Sequence, residues 1–339
     1  MKRKQVGLFF IEDSKSGTGI KSLKDLKVWL KSFPELGVIA SVTPFFIALK
    51  NQSISQSTTS PDFWEKLALE IRESWKQLDG FVVFHPLETA AFTGSVLSYM
   101  FSPLQKPIVF TGSPASYASS DQKDSSRKSP AKGWADLASR ANIMNAAQVA
   151  TMDVADVLIL SGNRLIRANR AERSSGQSLH AFETDEEGLV GRIDFSIHLF
   201  PRKTARKKSG TKSFQLEKQI AVIDLHKEFD FSILPMLAHG KKGILMQSPN
   251  TVDAASVLRG AVENLPEDIP IVLHVQKPEG LKALDIEKIT PSRTLSFEAA
   301  LTKLMYALGQ KRASHKSVKE IFSRDIAGEY VEAGKGGGV

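Results

Sequence analysis

The first two hundred residues alternate short, almost wholly apolar runs with helix-patterned stretches, and no other feature constrains the fold as much. The runs are QVGLFFI (5–11), LGVIASV (36–42), GFVVFH (80–85), KPIVFTG (106–112) and VADVLILS (154–161). A strand with one wet face alternates apolar and polar residues, whereas strands apolar throughout need cover on both faces. That is the situation of a parallel sheet between helix layers. Between the second and third runs, SPDFWEKLALEIRESWKQL places Trp64, Leu67, Ala68, Ile71, Trp75 and Leu78 on one helical stripe. Ser60 is its expected cap, Pro61 suits its first turn, and Asp79-Gly80 is its expected end. A second helix, DLASRANIMNAAQVATMD, leads into the fifth strand.

The second half repeats the style on a smaller scale, with strands expected at 220–226, 243–248 and 269–275 and a helix at 251–265. It closes with SFEAALTKLMYALGQ, capped by Ser296 with Leu301, Leu304, Met305 and Leu308 on one face, and with a last helix ending at Gly328. The expected division is an α/β domain over 1–200, a basic linker over 201–217, a smaller α/β domain over 218–330 and a disordered tail over 331–339. At 339 residues the chain exceeds what one core usually holds, so two domains are the natural reading.

Composition removes several chemistries. With no cysteine there is no disulfide, thiol nucleophile or thiolate metal site, and the seven histidines show no paired ligand spacing, so a structural zinc is not expected. No apolar run is long enough to span a membrane, and MKRKQVGLFF meets Glu12 and Asp13 before a signal core could form. A cytoplasmic protein with no membrane partner is the expectation. Much of the net charge of +8 sits in PRKTARKKSGTK (201–212), which carries no aromatic. Lacking stacking residues, it reads as a solvated linker in preference to a nucleic-acid contact.

In an open parallel sheet the ligand sits beyond the carboxyl ends of the strands, so the loops that follow them carry the function. The ordered set DGFVVFHPLETAAF, KPIVFTGS, RANIMNAAQVA, LIRANRAERSSGQSLHAFET and GLVGRIDF resembles the bacterial-type L-asparaginase family, cytosolic branch. Its patterns read approximately DG-hydrophobic-HGTDTM, PVVFTG, N-L-x-N-A and L-x-RGNR-x-TK followed by DAF and G-x-I. SFEAALTKLMYALG and DIAGEY are similar to its closing helices. The resemblance spans nearly the whole chain. It implies a two-domain asparaginase-like α/β fold and a homo-oligomer, dimer or tetramer, with sites between subunits. It also implies deamidation of asparagine or glutamine without metal or cofactor, and a small amide or amino-acid ligand.

That family uses two threonines, one after the first strand and one in HGTDT, with the aspartate of HGTDT and the lysine of TK. Amide hydrolysis needs an attacking hydroxyl and a group that accepts its proton. Carried over position by position, His85 and Thr89 match, but Pro86 stands for the glycine, Leu87 for the threonine and Glu88 for the aspartate. Leu87 has no heteroatom with which to attack. The lysine position falls at Arg173, whose guanidinium stays charged and cannot act as a base, so an ion pair with Glu88 is the expectation. Thr111 and Gly112 match PVVFTG and count, with His85 and Thr89, as substrate-binding positions. The family's binding serine falls near Gln56, with Ser55 and Ser57 alongside.

In the first loop, Ser14, Ser16 or Thr18 is either a replacement nucleophile or part of a polar turn. In the second half, MQSPNTVD and Val275-Gln276 depart from the family's glycine-rich turn and S-Q pair. Three readings result. One is a non-catalytic or repurposed binding or scaffold protein of asparaginase type. Another is an amidohydrolase with a displaced hydroxyl. The third is a subunit like the D subunit of archaeal glutamyl-tRNA amidotransferase, which would give the basic segment an RNA. Against the third stand the missing threonines and a chain that starts at the first strand.

Overall fold

The computed structural model describes residues 3–12, 20–49, 54–112, 130–174, 181–200, 214–225, 229–248, 262, 265–275, 288–311 and 313–330. Ser14, Ser16, Thr18, the basic segment, most of the helix expected at 251–265, Gln276 and the tail lie outside them. The chain divides into two compact units, residues 1–210 and 211–339.

In the first unit β1 (Gln5–Ile11), β2 (Ser41–Ile47), β3 (Gly80–Phe84), β4 (Ile108–Thr111) and β5 (Val157–Ser161) run parallel in the order β2-β1-β3-β4-β5. Three antiparallel strands extend the sheet beyond β5: β6 (Arg164–Arg167), then Leu189–Ile193, then Ile197–Leu199. The register sets Phe10 opposite Phe84 and Phe9 opposite Phe45. Their rings stack at 4.8 Å and 4.4 Å, so neighbouring strands are joined by aromatic contacts as well as by the ladder.

The run 36–42 is not one strand. Glu35–Ile39 forms a short helix behind Pro34, and β2 starts only at Ser41 and carries Pro44. Pro34 presets a helical φ for the chain entering that turn, and β2 lies at the edge of the sheet, where a residue without an N–H costs no ladder bond. The helix expected to end at Asp79-Gly80 stops at Ser74, and Ser60 occupies its N-cap position without a side-chain cap bond. Lys106 takes over the far end. Its Nζ donates to the carbonyls of Trp75 and Leu78, both at 2.5 Å, and lies 5.4 Å from the Trp75 ring centre. The cation thus satisfies two carbonyls in the turn that follows the helix.

The second unit is a four-stranded parallel sheet of Ile220–Asp224, Gly243–Ser248, Ile271–Val275 and Ile289–Pro291, in that order. Leu245 and Val272 face the helices Phe297–Leu308 and His315–Ser323, packing with Leu304, Val318 and Phe322. Ile244, Met246, Ile271 and Leu273 pack on the other face with Leu234 and Ala238. Ser296 caps its helix as expected, accepting from Ala299 N–H at 3.2 Å. The last helix stops at Ser323, short of Gly328. On the Phe297–Leu308 helix the sequence stripe hides an unexpected member: Lys303 is fully buried, 2.5 Å from the equally buried Glu329.

Candidate active site

The ladder between β3 and β4 continues one residue past β3, where His85 N–H donates to the Thr111 carbonyl at 2.8 Å. Pro86, with φ of −55° and no N–H to offer, then turns the chain into a single 3-10 turn, Leu87–Thr89, that leads into the helix Ala90–Phe101. The segment is a short strand-to-helix connection of one 3-10 turn.

His85 is its anchor. The ring lies between Phe63 and Phe110, with centroids at 5.9 and 5.6 Å, and only 1% of the residue is exposed. Burial lowers its pKa to about 4, so the ring is neutral at physiological pH. Its Nδ1 is 2.7 Å from the Pro86 carbonyl, which can only accept, so Nδ1 carries the proton. Nε2 is therefore the acceptor of a hydrogen bond that the Thr93 hydroxyl donates at 3.0 Å. Trp64 Nε1–H donates to Thr93 Oγ1 at 3.1 Å and to the Thr58 carbonyl at 2.9 Å. Thr58 Oγ1 and Thr89 Oγ1 meet at 2.7 Å. Both ring nitrogens of His85 are thus committed to protein partners, and the Thr89 hydroxyl is held by another threonine.

Leu87 is buried against Gly112. A Cβ at Gly112 would stand 2.2 Å from the His85 carbonyl oxygen and 3.1 Å from Leu87 Cγ, and Asn142 Nδ2 holds the Gly112 carbonyl at 2.8 Å. Gly112→Ala is therefore expected to push the two loops apart and cost roughly 1 to 3 kcal/mol, the usual range for overpacking. Urea denaturation followed by tryptophan emission measures it. An unchanged midpoint would mean that this contact is loose.

Among the positions expected from the sequence, His85, Leu87, Thr89, Thr111 and Gly112 come together, and the helical turn Ile54–Thr58 joins them through Thr58. Gln56 is exposed on that turn, while Ser57 is buried and its Oγ has no hydrogen-bond partner among the described residues. Thr111 is fully buried below the loop. The expected Glu88–Arg173 pair does not form. Both residues are exposed and no ion pair joins them among the described residues, because Leu87, not Glu88, turns inward, and Arg173 sits in a two-residue strand paired with Phe182. The neighbouring buried arginines form the ion pairs instead, one with a buried carboxylate and the other with two more exposed ones. Arg167 pairs with Asp156 at 2.7 Å, and Arg170 reaches Asp185 and Glu187 at 3.1 Å each. Thr58, Trp64 and Thr93 escaped sequence reasoning. Trp64 and Thr93 sit on helices whose apolar pattern marks them only as core.

No helix among the described residues is long and apolar enough to cross a membrane, and no described group of His, Asp and Glu could hold a metal ion.

Residues 10–205 match the family model described as Asparaginase, N-terminal. The chain is 27% identical over 286 residues to the 60 kDa lysophospholipase of Mus musculus, covering 78% of this chain and 47% of that protein. It therefore spans about half the length of that relative. It is 24% identical over 296 residues to L-asparaginase 1 of Escherichia coli K12, covering 81% and 82% of the two chains. In fold it is similar to L-asparaginase I of Vibrio cholerae, with a TM-score of 0.74 at 22% identity over 97% of this chain and all of that one.

Proposed function

We propose, from the premise that this chain belongs to the asparaginase family, that its site after β3 has lost amide hydrolysis and that the protein works as a binding or scaffold member of that family. The observation that carries the reading is the state of the loop. Leu87, at the family's threonine position, is buried over Gly112 and brings no heteroatom. The nearby hydroxyls of Thr89 and Thr93 are engaged, and the imidazole beside them has no free nitrogen. A hydroxyl is nucleophilic only with a base in reach, and Arg173 cannot supply one.

What remains suits binding better than chemistry. Ser57 Oγ is a buried hydroxyl without a partner among the described residues, and Glu88 presents an exposed carboxylate with which an ammonium group can pair. A small amide or amino acid is the ligand this reading assigns. A cytoplasmic location and assembly of identical chains as a dimer or tetramer belong to the same reading.

The test is ammonia release from asparagine and glutamine at millimolar substrate and high protein concentration, beside a Ser14→Ala, Ser16→Ala, Thr18→Ala variant. The expected result is no ammonia above buffer from either protein. Release by the wild type that disappears in the variant would overturn the proposal and identify a first-loop hydroxyl as the nucleophile.

A further inference from the structure

The helix Leu23–Leu30 turns Leu26, Trp29 and Leu30 toward the core of the first unit. Its outer face has a different composition. Lys24, Lys27 and Lys31 recur at intervals of three and four residues and so form one row. Leu23 and Val28 stand in that row, exposed at 39% and 64%. These five side chains line one shallow surface groove. Lys21 adds a fourth cation at the start of the helix, and none of the four forms an ion pair among the described residues. The helix carries one carboxylate, Asp25, which is held at its first turn by Ser22 Oγ at 2.8 Å and by Lys21 N–H at 3.3 Å.

A row of unpaired lysines is a solvated surface unless something else marks it. Here the mark is the aliphatic pair between the cations, which water gains nothing by touching. The row contains neither arginine nor an exposed aromatic ring, the side chains that favour stacked nucleotides. We propose that this face docks on an anionic lipid surface, with the lysine ammonium groups at the head-group phosphates and carboxylates and with Leu23 and Val28 in the interface. Such contact is peripheral. It needs no spanning helix and so revises the expectation of no membrane partner.

The full chain is to be sedimented with vesicles of phosphatidylcholine alone and of phosphatidylcholine with phosphatidylserine. Binding is expected to the anionic vesicles only and to fall steeply with added salt, because the screening length shrinks to about 8 Å near physiological ionic strength. The variant Lys24→Glu, Lys27→Glu, Lys31→Glu is expected to bind at least about a hundred-fold more weakly, since each lysine near such a surface contributes several-fold. All three side chains are exposed, so the variant keeps its fold, which circular dichroism checks. A matched variant, Arg206→Glu, Lys207→Glu, Lys208→Glu, carries the same charge change elsewhere. An equal loss in that variant would overturn the proposal by reducing binding to net charge. So would equal affinity for neutral vesicles, or a helix variant that loses single-stranded RNA but keeps the vesicles.

Discussion

Replacing Lys303 with alanine is expected to destabilise the second unit by about 3 to 5 kcal/mol, the usual cost of removing one partner from a buried ion pair. The ammonium group is completely buried and donates to Glu329 Oε1 at 2.5 Å, to the Arg324 carbonyl at 2.9 Å and to the Tyr330 hydroxyl at 3.3 Å. It also lies 4.3 Å from the centre of the Tyr330 ring. Without it Glu329 would keep its backbone donors, Ile326 and Ala327 N–H, but lose its counter-charge in a site closed to water. The pair ties the segment 324–330 to the Phe297–Leu308 helix, so its loss should loosen both. Hydrogen exchange in Gly243–Ser248 and Ile271–Val275 reads the change. The double variant Lys303→Met, Glu329→Gln, which removes both charges and keeps the acceptor, should recover most of the stability. A single variant within about 1 kcal/mol of wild type would mean that water reaches the pair.

The second large effect concerns acid. His85 has a folded pKa of about 4 against an ordinary 6.5. Between those values the unfolded chain takes up a proton that the folded one refuses. The contribution is therefore complete above pH 6.5 and is lost as the pH falls toward 4, to a total of about 3 kcal/mol. All four tryptophans, Trp29, Trp64, Trp75 and Trp134, lie in the first unit, so indole emission follows that unit alone. Urea midpoints by emission should fall steadily from pH 7 to pH 4.5. His85→Gln, which cannot take up a proton, should start lower at neutral pH and show a flatter slope. Equal slopes in the two proteins would show that His85 is protonated in the native state. His274 in the second unit has its pKa lowered to about 4 by the same burial, and tryptophan emission does not see it.

The sequence was most legible where one physical rule acted alone. The runs at 5–11 and 243–248 became strands with those bounds, because an uninterrupted β-rich apolar run has no competing structure. The run 36–42 failed because Pro34 presets a helical turn that outranks apolarity over a few residues. At the site, residue types alone made Leu87 chemically inert, and the structure adds that it is buried. The Glu88–Arg173 pairing was misread because charge complementarity along a sequence says nothing of which way a one-turn connection faces. Lys303 and Glu329 were invisible for a related reason: 26 residues and an irregular segment separate them, and a lysine within a helical stripe usually reaches water.

The order of strands also has a bearing on time. β1 is synthesised before β2 and β3, yet it lies inside the sheet between them, so one whole edge must wait for a partner some seventy residues later. By contrast β5 and β6 are joined across Gly162, whose φ of +59° suits a tight hairpin, and can pair as soon as they are made. Local pairing is fast and distant parallel pairing slow. Among the described strands of the first unit, the apolar segment Gln5–Ile11 therefore has the longest unprotected interval, the stretch on which chaperone demand during synthesis would concentrate.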